Sequence, residues 1–393
     1  MEKILFSPPD ITQKEIDAVS EVMRSGWITT GPKTKEFEQK ISDFCKTRKS
    51  ICMNSATACL ESALRILEIG PGDEVIVPAY TYTASCSVIC HVGATPVMID
   101  VAKNSFEMDY DQVLKSITNK TKAIIPVDIG GILCNYDKIF EIVDLKRNMF
   151  SPKNSLQEKI GRICVIADSA HSFGAYRDGK ISGSIADFTA FSFHAVKNLV
   201  TAEGGALTWT IDDDSLYNKF SLLSLHGQNK DALAKMNSSS WEYDIVFPGF
   251  KTNMTDISAA IGVAQLERFD DLISRRRKLA RLYNNLLSDC DIQIYQENDK
   301  IPNSTVHLYM IRLNNYNELK RNEIIKKLGN DGVSTNVHYK PLPMLTAYKN
   351  LGFNIKKFPN SYKMYENEIS LPLHTLMTDN DVYRVCHCLK KII

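Results

Sequence analysis

No stretch of this chain approaches the roughly 18 uninterrupted apolar residues that a bilayer-spanning helix needs, so no membrane span is expected. Internal repeats and low-complexity tracts are missing too, which sets aside solenoids and fibrous folds. Charge of one sign is equally scarce. Against 46 Asp and Glu stand 47 Lys and Arg, a formal net charge of +1, so no global field attracts nucleic acid or an acidic membrane. The basic clusters Arg275-Arg276-Arg277 and Lys356-Lys357 read as solvated faces. The 10 cysteines are scattered and form no paired CxxC motif. Cys86 and Cys90, and the Cys386-His387-Cys388 cluster, therefore read as buried thiols, with no metal expected. The opening Met1-Glu-Lys-Ile-Leu-Phe-Ser-Pro-Pro lacks the apolar core of a signal peptide, and a cytoplasmic, reducing compartment is the expectation.

What is present is the composition of a globular enzyme, 44% hydrophobic and 24% charged over 393 residues. That length suits a large domain, over 1–250, with a smaller one over 251–393. Residues 11–23 are apolar at helical spacing after Asp10, a candidate N-cap. Gly26-Trp-Ile-Thr-Thr-Gly-Pro interrupts the pattern, and 35–44 resume it. From Gly72 short apolar runs alternate with helical stretches. Glu74-Val-Ile-Val-Pro, Pro96-Val-Met-Ile-Asp, Lys122-Ala-Ile-Ile-Pro-Val, Ile163-Cys-Val-Ile-Ala-Asp and Asp187-Phe-Thr-Ala-Phe-Ser-Phe are hydrophobic on both faces, the mark of a covered, mostly parallel sheet. The large domain is thus α/β. Residues 148–159 read as a polar insertion, 256–287 as one long helix joining the domains. Beyond it 307–313 and 333–337 read as strands, 317–328 and 379–391 as helices.

The chemistry concentrates at the ends of those strands. In Ser192-Phe-His-Ala-Val-Lys197-Asn the lysine stands past a strand end, where open α/β sheets hold ligands. A loop lysine is ordinarily a solvated charge. The tight Thr201-Ala-Glu-Gly-Gly turn that follows lets backbone approach a bulky cofactor, and a desolvated amine can form a Schiff base with an aldehyde. Asp168, ending a buried strand in Ala167-Asp-Ser-Ala-His171, either caps the next helix or meets a cation such as a protonated pyridine. Met53-Asn-Ser-Ala-Thr57 opens an apolar-periodic helix, where Ser55 or Thr57 is an N-cap or part of a phosphate seat. Tyr82, just past the first deep strand, is a core aromatic or a stacking platform.

In this order and spacing the motifs resemble the DegT/StrS-type sugar aminotransferases, pyridoxal-phosphate (PLP) enzymes of fold type I. The resemblance runs along nearly the whole chain, through Gly70-Pro-Gly-Asp-Glu-Val-Ile-Val-Pro and Gly93-Ala-Thr-Pro-Val to Val337-His-Tyr-Lys-Pro and Ile369-Ser-Leu-Pro-Leu-His. It implies an aspartate-aminotransferase-like fold with a large PLP-binding α/β domain and a smaller α+β C-terminal domain. Lys197 would hold the cofactor and move the proton, Asp168 would pair with the pyridine nitrogen, and His171 would sit near the phenolic oxygen. Tyr82 would stack on the ring, and Ala56, Thr57 and Ser192 would hold the phosphate. A homodimer with shared sites is implied, each completed by a partner segment usually written Gly-Tyr-Asn-Tyr-Arg-Met-Thr-Asp. Here it reads Gly249-Phe-Lys251-Thr-Asn253-Met-Thr-Asp256, so Lys251 replaces the phosphate-binding asparagine and Asn253 the arginine. That arrangement is similar to the subgroup aminating 4-keto sugars of the arabinose-lipid pathway, hence lipopolysaccharide or other polysaccharide synthesis. The implied reaction moves an amino group from L-glutamate to C4 of a nucleotide-linked ketodeoxysugar. Thr29, His226 and His338 are candidates for its sugar side, though His226 reads equally as a helix-end histidine. C3 amination, an aminocyclitol substrate or a non-catalytic PLP-binding regulator are the alternatives. A sugar dehydrase of this fold would carry histidine in place of Lys197.

Overall fold

The computed structural model describes residues 2–229 and 242–393. Its strands are β1 (Ser50–Met53), β2 (Glu74–Pro78), β3 (Thr95–Ile99), β4 (Thr121–Ile124), β5 (Cys164–Asp168), the short β6 (Tyr176–Arg177) and β7 (Lys180–Ile181), β8 (Phe188–Ser192), β9 (Gly205–Trp209), β10 (Ile292–Ile294), β11 (Tyr309–Leu313) and β12 (Glu368–Leu371). Seven of them form one sheet in the order β1-β9-β8-β5-β4-β2-β3, parallel except where β9 pairs with its neighbours. The side-chain alternation explains why these strands are apolar throughout. Val75 and Val77 face a core shared with α3 (Ala56–Ile66) and α4 (Ala84–His91), whereas Ile76 joins a second core on the opposite face. Ile166 and Val165 divide in the same way. Full burial of each such side chain contributes about 1.5–3 kcal/mol. This is the expected α/β architecture with a mostly parallel sheet between helices.

A second, antiparallel sheet, β10-β11-β12, has its own core around Tyr283, Tyr309, Ile311, Ile369 and Val382. Ile4 also belongs to that core, its N–H donating to the Gly332 carbonyl at 2.8 Å and its carbonyl accepting from Ser334 N–H at 3.0 Å.

Several local readings are corrected. Helix α1 (Gln13–Ser25) is capped by Thr12 in a reciprocal box with Glu15, while Asp10 accepts from Arg268 Nη2 at 3.0 Å. The single helix over 256–287 is two, Asp256–Glu267 and Phe269–Leu286, broken at Arg268 with φ −116° and ψ 14°. The first lies against α1 and α2 (Pro32–Cys45), where a Cβ on Gly262 would stand 2.4 Å from the Phe37 ring. The second turns away to cover the small sheet. Residues 148–159 contain the helix Ser155–Ile160, whose Leu156 packs into the core beside β2. The N-terminal region, expected as helices and loop alone, also holds the four-residue β1. Residues 333–337 make only isolated bridges, Ile4 with Val333 and Asn336 with Ser370, not a strand. Within the arginine run Arg276 is buried, because helical periodicity turns it inward. Its Nη1 donates to the carbonyls of Val306, His307 and Leu373 at 3.1–3.2 Å, which replace water. Cys90 and Cys388 are half-buried rather than buried.

Candidate active site

Strands β2, β5 and β8 end together at Pro78, Asp168 and Ser192, and residues at or just past those ends line one cavity of about 660 Å³. It brings together Ala56, Thr57, Tyr82, Asp168, His171, Ser192, Lys197 and His338.

Lys197 is half-buried in the turn after β8, its backbone N–H bonded to the His194 carbonyl at 2.8 Å. No described residue hydrogen-bonds or ion-pairs with its Nζ. Burial pulls its ammonium down to about 8, with the Asp168 carboxylate pulling the other way. Asp168 is 5% exposed, accepting from Ser85 Oγ at 2.6 Å and from Ala170 N–H at 3.2 Å. Burial raises its pKa, opposed by Ser85, Ala170 and Lys197. A cation entering the cavity beside it would relieve that desolvation. Of the two readings of Asp168, the helix cap is excluded by geometry, since no helix follows it directly.

The tautomer of His171 follows from its neighbours. Gly130 N–H, a donor only, meets Nδ1 at 3.2 Å, so the ring proton sits on Nε2, which lies 3.0 Å from the Tyr339 hydroxyl. Burial holds the ring neutral by pushing its pKa well below the usual value.

An anion seat lies in the cavity wall. Ser55 caps α3, its hydroxyl accepting from Ala58 N–H at 3.1 Å, which leaves the first amides, those of Ala56 and Thr57, without helical partners. Ser192 and Gly204 line the same cavity, and Gly205 pairs with Ser192 at the mouth of β9. A Cβ on Gly205 would lie 2.5 Å from the Ala56 nitrogen, so glycine is what lets the strand pass this close to the seat. Tyr82 stands at the rim, 59% exposed, its ring 5.9 Å from that of Tyr339.

Thr29, His226 and Lys251 are not brought into the cavity of their own chain. They cluster elsewhere, exposed: Leu225 bridges Lys251, His226 N–H donates to the Phe250 carbonyl at 2.7 Å, and the Thr29 carbonyl accepts from Asp256 N–H at 3.1 Å. Asn253 ties this cluster to the end of β1 through its bridge with Met53. Residues missed in the sequence are Ser85, Tyr339 and His307, whose ring lies 4.3 Å from that of His171. Tyr339 lay inside the Val337-His-Tyr-Lys-Pro motif and was within reach of that signal, whereas nothing local marks Ser85.

An unpaired lysine amine, a buried carboxylate and free helix amides around one cavity match the aldehyde, pyridine nitrogen and phosphate of pyridoxal phosphate. The glycine-lined cradle, which a Cβ would fill, fits its bulk. Fold and site together define a PLP enzyme of fold type I.

The DegT/DnrJ/EryC1/StrS aminotransferase family model matches residues 9–390, and the chain belongs to that family of PLP-dependent aminotransferases. The spore coat polysaccharide biosynthesis protein SpsC of Bacillus subtilis is 36% identical over 392 residues, 99% of this chain and 96% of that protein. A Streptococcus pneumoniae protein assigned as a sugar aminotransferase, solved in its PMP form, is similar at a TM-score of 0.96 and 53% identity, over 99% of this chain and 98% of that one. Helicobacter pylori PseC, an aminotransferase involved in the biosynthesis of pseudoaminic acid, gives a TM-score of 0.87 at 26% identity, covering 100% and 99%. Among the described residues no helix is long and apolar enough to cross a membrane.

Proposed function

We propose that the protein transfers an amino group from an amino acid, L-glutamate, to the C4 keto group of a nucleotide-linked ketodeoxysugar. The observation that carries this reading is one cavity holding both an unpaired Lys197 and the buried Asp168 beside the open N-terminus of α3. A sugar acceptor is supported by the relatives named for spore coat polysaccharide and pseudoaminic acid synthesis. The C4 position is supported by Lys251 and Asn253 in the family segment.

Pyridoxal phosphate, when bound, supplies an aldehyde that takes up the amino group and a ring that accepts electrons. Lys197 Nζ would hold that aldehyde and would take up and release the proton that moves, for which its partial desolvation suits it. Asp168 would hold the pyridine nitrogen in its protonated form, and Ser85 orients Asp168. The Ala56 and Thr57 amides with the Ser192 hydroxyl would hold the phosphate, and Tyr82 and His171, which line the same cavity, would hold the ring. His338 lines the sugar side. Thr29, His226 and Lys251, exposed on their own chain, serve the cavity of a second copy in a homodimer with shared sites. The domain division at 250/251 and a cytoplasmic setting belong to the same reading.

The test is incubation of the PLP-loaded protein with glutamate and a panel of nucleotide-linked ketosugars, following 2-oxoglutarate and the amino sugar by mass spectrometry. Amino-group uptake from glutamate with no product from any 4-keto sugar, and turnover of a 3-keto sugar or aminocyclitol precursor instead, would sink the C4 reading.

A further inference from the structure

Behind the part of the cavity wall made by His338 lies a carboxyl group that the reaction above does not use. Glu368, on β12, is fully buried and has no ion pair among the described residues. Its two oxygens have different partners. Oε2 accepts the backbone N–H of His338 at 2.9 Å, and Oε1 accepts the Ser370 hydroxyl at 2.6 Å. Ser370 Oγ in turn lies 2.8 Å from His338 Nδ1.

The frame around this chain of contacts is tight. Asn336 and Ser370 exchange backbone hydrogen bonds at 3.1 and 2.8 Å, and the Tyr80 hydroxyl donates to the His338 carbonyl at 2.6 Å. Phe6 stacks on the imidazole with centroids 5.5 Å apart, and Tyr339 meets it edge-on at 5.0 Å. His338 Nε2 has no hydrogen-bond partner among the described residues, and the residue lines the cavity.

Donor and acceptor counting then leaves two states. With Glu368 ionised, the Ser370 proton goes to Oε1, Ser370 Oγ accepts from Nδ1–H, and Nε2 is a bare acceptor. With Glu368 protonated, its proton must sit on Oε1, because Oε2 faces the His338 N–H. Ser370 then accepts from Oε1 and donates to Nδ1, and the ring proton sits on Nε2. The two states differ by one proton. It enters at Nε2 from the cavity, the Nδ1 proton passes to Ser370, and the Ser370 proton passes to Glu368.

We propose that Glu368 is a positioning residue that, through Ser370, sets which nitrogen of His338 carries the proton, and so whether the cavity wall accepts or donates a hydrogen bond toward the substrate. An acceptor Nε2 suits a sugar hydroxyl, and a donor Nε2–H suits the carboxylate of the amino-acid donor or a keto oxygen. One neutral residue thereby faces either substrate of a two-substrate site. The choice of these partners rests on the proposed function, whereas the relay itself does not.

The surroundings keep the His338 ring neutral in both states. Burial raises Glu368 to about 8, opposed by Ser370, the His338 N–H and Arg321, and burial pushes His338 down to about 3, with Lys197 adding to it. The other charged or titratable groups packed here are Arg312, opposite Glu368 on β11, with Tyr80, Tyr339, His171 and His307. Arg321 Nη1 is bonded to the carbonyl of Glu368 at 2.8 Å, not to its carboxyl group.

The experiment labels histidine with ¹⁵N and follows the His338 ring nitrogens of the substrate-free, PLP-loaded protein at pH values on either side of 8. Nε2–H is expected below the Glu368 titration and Nδ1–H above it. In Glu368→Gln the amide oxygen must face the His338 N–H, so the amide N–H₂ faces Ser370 and Nε2–H is expected at every pH. In the same variant the limb of the kcat/KM profile that Glu368 contributes disappears. Ser370→Ala cuts the relay while leaving the acid in place, and carries the test alone should the glutamine variant misfold. A His338 tautomer that stays constant in the wild type, or that still switches with pH in either variant, overturns the proposal. Because no substrate is present, that outcome is separate from failure of the assigned reaction.

Discussion

Ser85 Oγ lies 2.6 Å from Asp168 Oδ2 and donates to it, with Thr81 Oγ1 2.9 Å behind Ser85. Both hydroxyl residues are buried, so the carboxylate is aimed from the first turn of α4 rather than by its own strand. A hydrogen bond to a charged group contributes about 1.5–3 kcal/mol, so Ser85→Ala should lower kcat about tenfold to a hundredfold. Asp168→Asn, which leaves the shape intact and removes the charge, should lose more. Steady-state transamination checks both, and wild-type rates in Asp168→Asn would remove this residue from the mechanism.

Lys197→Ala should still take up PLP but lack the visible absorption of the lysine-bound cofactor. An unchanged spectrum would move the attachment elsewhere.

The same lysine predicts a stability effect. Its folded pKa of about 8 lies below the ordinary 10.5, so between these values the unfolded chain holds a proton that the folded chain lacks. Stability of the cofactor-free protein should therefore rise with pH through that window, with the penalty constant below it. Lys197→Met removes the penalty. Its apoprotein should melt above the wild-type apoprotein at neutral pH, with the gap closing as the pH passes 10.5. Equal melting temperatures at neutral pH would show that the amine is fully solvated.

Gly205→Ala places a Cβ 2.5 Å from the Ala56 nitrogen and from the Ser55 carbonyl carbon, both backbone atoms that cannot swing aside. A cost of about 1–3 kcal/mol in urea unfolding is expected. Weaker PLP retention should accompany it, because the same push displaces the start of α3.

The last prediction concerns assembly. Lys197→Ala and Lys251→Ala, each impaired alone, are mixed under conditions of subunit exchange. With shared sites, half the dimers are mixed and each has one site with both lysines, so activity should return toward about a quarter of wild type. Proven exchange without recovery would assign Lys251 to its own subunit.

The strands that carry the site were legible because each is apolar on both faces, a pattern that only a sheet covered by helices produces, as with Val75 and Val77 against Ile76. Lys197 and Asp168 were legible because they stand at the ends of such strands. Arg268 was not. The helical pattern runs unbroken through it, and the break comes from the pull of Asp10 and Glu15 more than 250 residues away, which no local spacing records. Ser85 and Glu368 were hidden for a related reason: their partners, Asp168 and His338, lie 83 and 30 residues off, and only folding makes them neighbours.

The backbone bonding of Ile4 with Gly332 and Ser334 gives the chain a schedule during synthesis. The backbone partners of Ile4 follow it more than 320 residues later, on the order of 16–65 s at roughly 5–20 residues per second. Through that interval the apolar Ile4 has no core to enter, while the large sheet already has its seven strands. Ile4 therefore stays outside its core until the last quarter of the chain arrives, and the length of that wait is set by the clock of translation rather than by the strength of any contact.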